Sequence, residues 1–184
     1  MKTLYLMRHG KSAWDDPSLD DHDRPLAPRG RKAARLVGHE LKDRGARIGL
    51  VLCSTARRAA DTADRLLEVM DAPDIPVERE RGLYLCGAGV LLERLRDAPD
   101  SASSLMLVAH NPDLHDLARE LTGSGEERHR AALAEKFPTG ACAVILFEAA
   151  RWADLDSGAG RLGRFHPAAE TLLTPFCQMG YFNP

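Results

Sequence analysis

The feature that most constrains the fold is a short apolar run, residues 4–7, that ends in an Arg-His-Gly tripeptide. The run has no polar alternation, which is typical of a strand buried on both faces of a sheet. In open α/β sheets, ligands bind just beyond the carboxyl ends of such strands. Arg8 offers a planar fork of donors for an anion, His9 a nucleophile or proton carrier, and Gly10 a backbone that turns tightly. The sequence therefore predicts a site at the end of the first strand.

Two later apolar runs, residues 48–53 and 105–109, end in the same way. Ser54 and then Arg58 follow the first run, and His110 follows the second. Taken singly, Arg58 is more often a solvated helix residue and His110 a hydrogen-bonded histidine at a strand end. Parallel strand ends converge on one edge of a sheet, however, and the first turn of a helix favours anions. We therefore expect the two arginines and two histidines to form a pocket for a tetrahedral dianion.

Helical periodicity alternates with the predicted strands along the chain, and no repeat or linker interrupts it. This alternation predicts one α/β domain over residues 1–184, a three-layer α/β/α sandwich whose sheet is mostly parallel with an antiparallel edge strand. Asn111 is expected to cap a helix that has Pro112 in its first turn. The predicted helices span about residues 30–45, 56–70, 89–97, 112–122 and 126–136. Further strands are predicted near residue 77 and over residues 141–148. The remaining predictions are a loop over residues 11–24, a hairpin return over 152–165, and a short helix with coil from 166.

Composition excludes several classes of protein. A formal net charge of -2 argues against a general nucleic-acid binder. No segment approaches the ~20 apolar residues that cross a bilayer, and the amino-terminal run is too short for a signal peptide. The cysteines are widely spaced, which indicates reduced thiols in a cytoplasmic protein rather than a disulfide framework or zinc site. They are Cys53, Cys86, Cys142 and Cys177.

Three motifs carry a family resemblance: residues 6–10, Leu-Met-Arg-His-Gly; residues 54–62, Ser-Thr-Ala-Arg-Arg-Ala-Ala-Asp-Thr; and residues 108–112, Val-Ala-His-Asn-Pro. Together they resemble the histidine phosphatase superfamily, which includes cofactor-dependent phosphoglycerate mutases and acid phosphatases. Residues 20–30 and the short length are most similar to the SixA-type phosphohistidine phosphatases. The resemblance implies a phosphoglycerate mutase-like fold.

The resemblance also implies roles for individual residues. His9 would be the nucleophile that becomes phosphorylated, Arg8 and Arg58 would clamp the phosphate, and His110 would be the second active-site histidine. His9 must be neutral to attack, and we expect the two arginines and a cationic His110 to keep it so. No cofactor or metal is implied, and His110 with His115 lacks a third ligand at matching spacing. The expected substrate-binding residues are Arg8, Gly10, Ser12, Arg58 and His110.

The chain departs from the family pattern at the acid-base residue. Phosphoglycerate mutases carry a glutamate after the third strand, whereas residues 82–88 here hold no carboxylate, and Glu78 and Glu80 precede them. This difference counts against mutase activity and favours phosphohistidine, because a leaving imidazole with a pKa of about 6.5 can bring its own proton. Asp15 or Asp16 remains a possible acid.

The sequence thus predicts a phosphatase that removes phosphate from histidine in proteins, acting on a histidine-phosphorylated carrier or signalling domain. A broad small-molecule phosphomonoesterase of the same mechanism and a non-catalytic phosphate-binding module are the alternatives. The aspartates of residues 15–23 are expected to be mostly solvated, with a negative rim that tolerates a basic substrate surface. Trp14 is expected to pack under this loop, with a position lining the entrance of the pocket as the alternative.

Overall fold

The computed structural model describes residues 1–166, which form one sheet covered by helices on both faces. Seven strands and five α-helices lie within that range. The strands are β1 (Lys2–Arg8), β2 (Leu50–Ser54), β3 (Val77–Glu80), β4 (Ser104–Ala109), β5 (Thr122–Gly125), β6 (Cys142–Phe147) and β7 (Gly160–His166). The helices are α1 (Pro28–Asp43), α2 (Arg57–Met70), α3 (Ala88–Arg96), α4 (Asp113–Leu121) and α5 (Glu127–Glu135).

The sheet has the strand order β3-β2-β4-β1-β6-β7-β5. The β1–β4, β2–β4, β2–β3 and β5–β7 pairs are parallel, and β6 is antiparallel to both of its neighbours. The predicted α/β/α sandwich with a mostly parallel sheet is confirmed. The antiparallel strand, β6, lies inside the sheet rather than at its edge, because β7 pairs with the side of β6 that faces away from β1. The unpredicted β5 then extends the sheet, although its Thr-Gly-Ser-Gly sequence has little strand propensity.

Alternate side chains of the central strands enter opposite layers of the core. Leu4 and Leu6 of β1 pack in the cluster that includes α3 and α4, whereas Tyr5 and Met7 pack in the cluster that includes α1 and α2. Both faces of β1 are therefore buried, which is why its sequence is continuously apolar. The apolar run of β1 stops where the strand leaves the core, so its polar residues follow at the edge of the sheet.

The start of α4 differs from the prediction. Asn111 does not cap this helix, since Pro112 stands at the cap position and the peptide bond between them is cis. The Asn111 side-chain amide instead donates to the backbone carbonyl of Phe137 at 2.9 Å. The N-cap prediction is therefore wrong, because the amide serves a contact with a distant segment.

The described cysteines are free thiols. Cys53 and Cys142 are buried, and burial raises the pKa of each to about 12, while Cys86 is half-buried. Cys177 and the helix and coil predicted beyond residue 166 lie outside the described residues. Among residues 1–166 no helix is long and apolar enough to cross a membrane. The single domain over the whole chain and the cytoplasmic location stay predictions.

Candidate active site

Three parallel strands deliver the predicted residues to one edge of the sheet. His9 follows β1, His110 follows β4, and Arg58 lies in the first turn of α2, just after β2. All three are buried. The rings of His9 and His110 have centroids 4.9 Å apart, and Nε of Arg58 lies 3.3 Å from Nε2 of His9. The convergence expected from the strand ends is thus present.

His9 is oriented by its own neighbour. Its Nδ1 lies 2.8 Å from the carbonyl oxygen of Gly10, which can only accept, so the proton sits on Nδ1. Nε2 is left with its lone pair directed at the Arg58 guanidinium. Burial above all, with the charges of Arg58 and Arg8, lowers the pKa of His9 to about 4. His9 is therefore neutral at pH 7, with an available nucleophilic nitrogen.

Arg8 is the second guanidinium of the site, and unlike Arg58 it has, within residues 1–166, an atom without a partner. Arg8 donates to the carbonyl of Phe137 at 2.7 Å, and its buried Nε has no hydrogen-bond partner among the described residues. Burial and the charge of Arg58 lower the pKa of Arg8. Because the two like charges share a poorly solvated site, an oxyanion with several negative oxygens would relieve their repulsion.

His110 is neutral in the free site, so the expectation that its charge helps to keep His9 neutral there is wrong, whereas protonation of His110 with a dianion bound stays a prediction. Burial, followed by the effects of His9 and Arg58, lowers the pKa of His110 to about 3. Its Nε2 lies 2.8 Å from Oγ of Ser54, and its buried Nδ1 has no partner among residues 1–166. A buried imidazolium without an ion-pair partner is costly, and this cost outweighs the charge that His110 could otherwise take up.

Asp21 and Tyr84 complete the cluster and were not predicted. Oδ2 of Asp21 accepts hydrogen bonds from Arg58 at 2.8 Å and from the Tyr84 hydroxyl at 2.7 Å, and the backbone carbonyl of Asp21 accepts a second bond from Arg58. The Tyr84 ring stands edge-on to His110 with centroids 5.2 Å apart. The Tyr84 hydrogen bond, with the charge of Arg58, lowers the pKa of Asp21, so its carboxylate is ionised.

The other carboxylates considered from sequence have different surroundings. Asp15 and Asp16 are exposed, and Asp16 accepts hydrogen bonds from Ser18. Glu78 and Glu80 both pair with Arg94 on α3. The carboxylate that contacts the arginine and tyrosine of the site is Asp21. Its loop has aspartates at several neighbouring positions, and their order in the sequence does not reveal which one turns inward.

Gly10 and Ser12 have structural partners. The Gly10 N–H donates to Oγ1 of Thr62 at 3.0 Å, and a Cβ on Gly10 would lie 2.7 Å from the carbonyl oxygen of Gly30. Oγ of Ser12 accepts a hydrogen bond from the Trp14 indole at 3.1 Å. Glycine is thus required for close backbone approach at this turn. The part of Gly10 and Ser12 in substrate binding stays a prediction.

Trp14 does not pack under the loop as expected. Its side chain is 63% exposed, and the Arg24 guanidinium lies 3.8 Å from the ring centroid. The cation covers part of the ring and leaves the rest at the surface, which is a favourable arrangement for an exposed indole.

No metal site accompanies the cluster in the part of the chain that the structure describes, since no group of three or more His, Cys, Asp or Glu side chains is placed to hold an ion there. His115, considered with His110 as a ligand pair, lies with its Nε2 at 2.6 Å from the carbonyl of Leu133. Independence from metals stays a prediction.

Known proteins share this sequence pattern and this fold. Residues 4–98 match the sequence model of the histidine phosphatase superfamily (branch 1). An uncharacterized protein of Mycobacterium tuberculosis is 40% identical over 162 residues, which are 87% of this chain and 98% of that protein.

Two solved structures show the similarity in three dimensions. One, assigned as the phosphohistidine phosphatase SixA of Nakamurella multipartitia, aligns with a TM-score of 0.77 and 28% identity over 91% of this chain and 96% of its own. The protein histidine phosphatase SixA in complex with tungstate aligns with a TM-score of 0.73 and 24% identity over 92% of this chain and 99% of its own, which supports the fold.

Proposed function

Since the chain belongs to the histidine phosphatase superfamily, we propose that it is a phosphatase that removes phosphate from phosphohistidine in proteins through a phosphoenzyme intermediate on His9. The observation that carries this proposal is the state of His9: it is buried and neutral, and its unprotonated Nε2 accepts a hydrogen bond from the Arg58 guanidinium. A buried imidazole with this geometry supplies a nucleophile in a setting that already holds positive charge.

The reaction would proceed in two displacements. Nε2 of His9 attacks phosphorus, the P–N bond to the substrate imidazole breaks, and the departing ring keeps the electron pair of that bond together with a proton. Arg8 and Arg58 neutralise the charge on the transferring phosphoryl oxygens. Water then attacks the phosphorus on His9, and the P–N bond to the enzyme breaks. The electron pair of that bond returns to Nε2, the protons of the water stay on the released inorganic phosphate, and His9 is neutral again.

The protonation states of the site support phosphohistidine over an alcohol ester. Asp21 is ionised, and the pKa of Tyr84 is raised by burial and by its hydrogen bond to Asp21, so neither is suited to donate a proton near pH 7. An alkoxide leaving group needs such a donor. An imidazole, with an unperturbed pKa of about 6.5, can carry its own proton into the reaction.

The deciding experiment measures phosphate release from a histidine-phosphorylated carrier protein and from a panel of small phosphomonoesters. Wild type is compared with His9→Ala and with His39→Ala, a matched control at an exposed histidine on α1. We expect fast release from the carrier by wild type and His39→Ala, and loss with His9→Ala. Acid-labile, base-stable phosphate should be trapped on wild type during turnover.

Each other outcome has a definite meaning. Faster release from the small esters would replace the substrate class while keeping the mechanism. Binding of phosphoprotein without phosphate release or trapped phosphate would indicate a non-catalytic binding module. Activity of His9→Ala within tenfold of wild type would remove His9 as the nucleophile.

A further inference from the structure

Three of the four large apolar residues that are exposed within residues 1–166 belong to the two chain segments that supply Asp21 and Tyr84 to the site. Within residues 1–166 the exposed large hydrophobic residues are Met1, Trp14, Leu85 and Val90. Trp14 belongs to the loop that follows His9, while Leu85 and Val90 belong to the segment from Tyr84 into the first turn of α3. The Asp21–Tyr84 hydrogen bond of 2.7 Å joins these two segments beside the site. Both segments joined by this hydrogen bond thus carry exposed apolar side chains.

Trp14 is held in place although it is exposed. Its indole N–H donates to Ser12 at 3.1 Å, and the Arg24 guanidinium stacks on its ring. An aromatic ring fixed in this way loses little conformational entropy when a partner covers it. Tryptophan is also among the residues that contribute most to the free energy of protein interfaces.

Leu85 combines two unfavourable features. Its φ of 49° is in the left-handed region, where glycine is favoured and other residues pay of order 1 kcal/mol or more. Its side chain is 51% exposed, so little burial within the protein offsets that cost. A strained backbone that holds a leucine in water, one residue after the site tyrosine, is typical of a position selected for contact with a ligand or partner.

The charge on the loop that carries Trp14 is mainly negative. The Trp14 loop, residues 11–24, carries five exposed aspartates, whereas Lys11 and Arg24 are its only permanently charged cations. They are Asp15, Asp16, Asp20, Asp21 and Asp23. A negative rim repels small polyanions and attracts a protein surface that carries lysine or arginine beside its phosphate.

We infer that Trp14, Leu85 and Val90, with the aspartates of the Trp14 loop, form a docking surface for the phosphorylated protein. The partner is a folded domain whose phosphohistidine is flanked by apolar and basic side chains. This inference rests on the proposed function. It adds that recognition extends beyond the phosphate to a two-segment apolar surface whose charge complements the partner.

The test compares one protein substrate with one small substrate of the same bond type. The substrates are a histidine-phosphorylated carrier and phosphoramidate, and the variants are Trp14→Ala, Trp14→Phe and Leu85→Gly. We expect Trp14→Ala and Leu85→Gly to lower kcat/KM for the carrier by about tenfold, mainly through KM, and Trp14→Phe to retain most of it. Phosphoramidate turnover should stay within about twofold of wild type, because these residues do not touch the phosphate.

Leu85→Gly separates docking from loop stability. Glycine relieves the strain at φ 49°, so a merely structural role predicts an unchanged or more stable protein with unchanged carrier turnover. A charge test uses Asp15→Asn with Asp16→Asn, and Asp74→Asn as the control at an exposed aspartate between α2 and β3. The double variant should weaken the salt dependence of carrier turnover, and the control should not.

The outcomes distinguish the two proposals. If wild type cleaves the carrier and both Trp14→Ala and Leu85→Gly cleave it equally well, the docking surface is wrong and the phosphatase proposal stands. If carrier and phosphoramidate turnover fall together in the variants, these residues support the fold of the site and the docking inference is also wrong. If wild type cleaves neither substrate, the proposed function fails and the docking inference fails with it.

Discussion

Acid should destabilise the folded protein through His9. In the unfolded chain His9 takes up a proton below its ordinary pKa of about 6.5, whereas in the folded protein it does so only near pH 4. Between these values the unfolded state binds more protons, so the free energy of unfolding falls as the pH falls. One pKa unit is worth about 1.4 kcal/mol, so the contribution of His9 lost by pH 4 is about 3 kcal/mol, and most of it is lost by pH 4.5.

The measurement is chemical unfolding of wild type and His9→Gln at pH 7 and pH 4.5. Glutamine cannot titrate, so the variant should lose about 2 to 3 kcal/mol less stability than wild type across this range. Acid-sensitive groups distant from His9 are common to both proteins and largely cancel in the comparison. The pKa of His110 is lowered in part by His9, so the titration of His110 is followed separately in both proteins. NMR titration of the imidazole C–H signals, with His9 assigned by its absence from the variant, gives the pKa directly.

Equal losses in the two proteins would refute this reasoning. They would mean that folding does not perturb the pKa of His9, so that about a quarter of the protein would carry a protonated, non-nucleophilic His9 at pH 7. The argument that His9 is held ready by burial and by Arg58 would then fail, even if His9 were still phosphorylated.

Further predictions follow from the same geometry. Arg58→Ala should lower kcat/KM by about 10²-fold or more, because a buried charged donor next to the nucleophile is removed; phosphate-release kinetics that match wild type would show that this arginine does not contact the substrate. Gly10→Ala should destabilise the fold by about 1 to 3 kcal/mol, since its Cβ would lie 2.7 Å from the Gly30 oxygen, whereas Gly82→Ala, with no atom within 4 Å of its Cβ, is the unfolding control. EDTA should leave turnover unchanged, and a loss that zinc or magnesium restores would require a metal site.

The central fold and the core of the site could be predicted because their signals are local in sequence. Continuous apolar runs identify β1 and β4 as strands buried on both faces, and their last residues identify the edge where His9 and His110 meet. Because these strands pair in parallel, residues far apart in the chain meet at this edge. This expectation requires no knowledge of side-chain contacts.

The rest depends on contacts that the sequence pattern does not encode. Asp21 cannot be told from the other aspartates of its loop, because its role is set by where Arg58 and Tyr84 reach it. β5 is a strand through its pairing with β7 and not through its Gly-Ser composition. The neutral state of His110 follows from the depth of its burial, which composition and spacing do not report.

The strand order has a consequence for folding of the protein during its synthesis on the ribosome. β1 and β2 are synthesised early and carry His9 and the approach to Arg58, yet they do not pair with each other, because β4 lies between them. A nascent chain that has passed α2 but has not yet reached β4 therefore contains His9, Arg8 and Arg58 but lacks the strand that joins β1 to β2. Arrival of β4 closes the gap in the sheet and delivers His110 in the same event. Closure of the sheet between β1 and β2 is thus coupled in time to the arrival of His110, so a chain that ends before β4 cannot bring His9, Arg58 and His110 together.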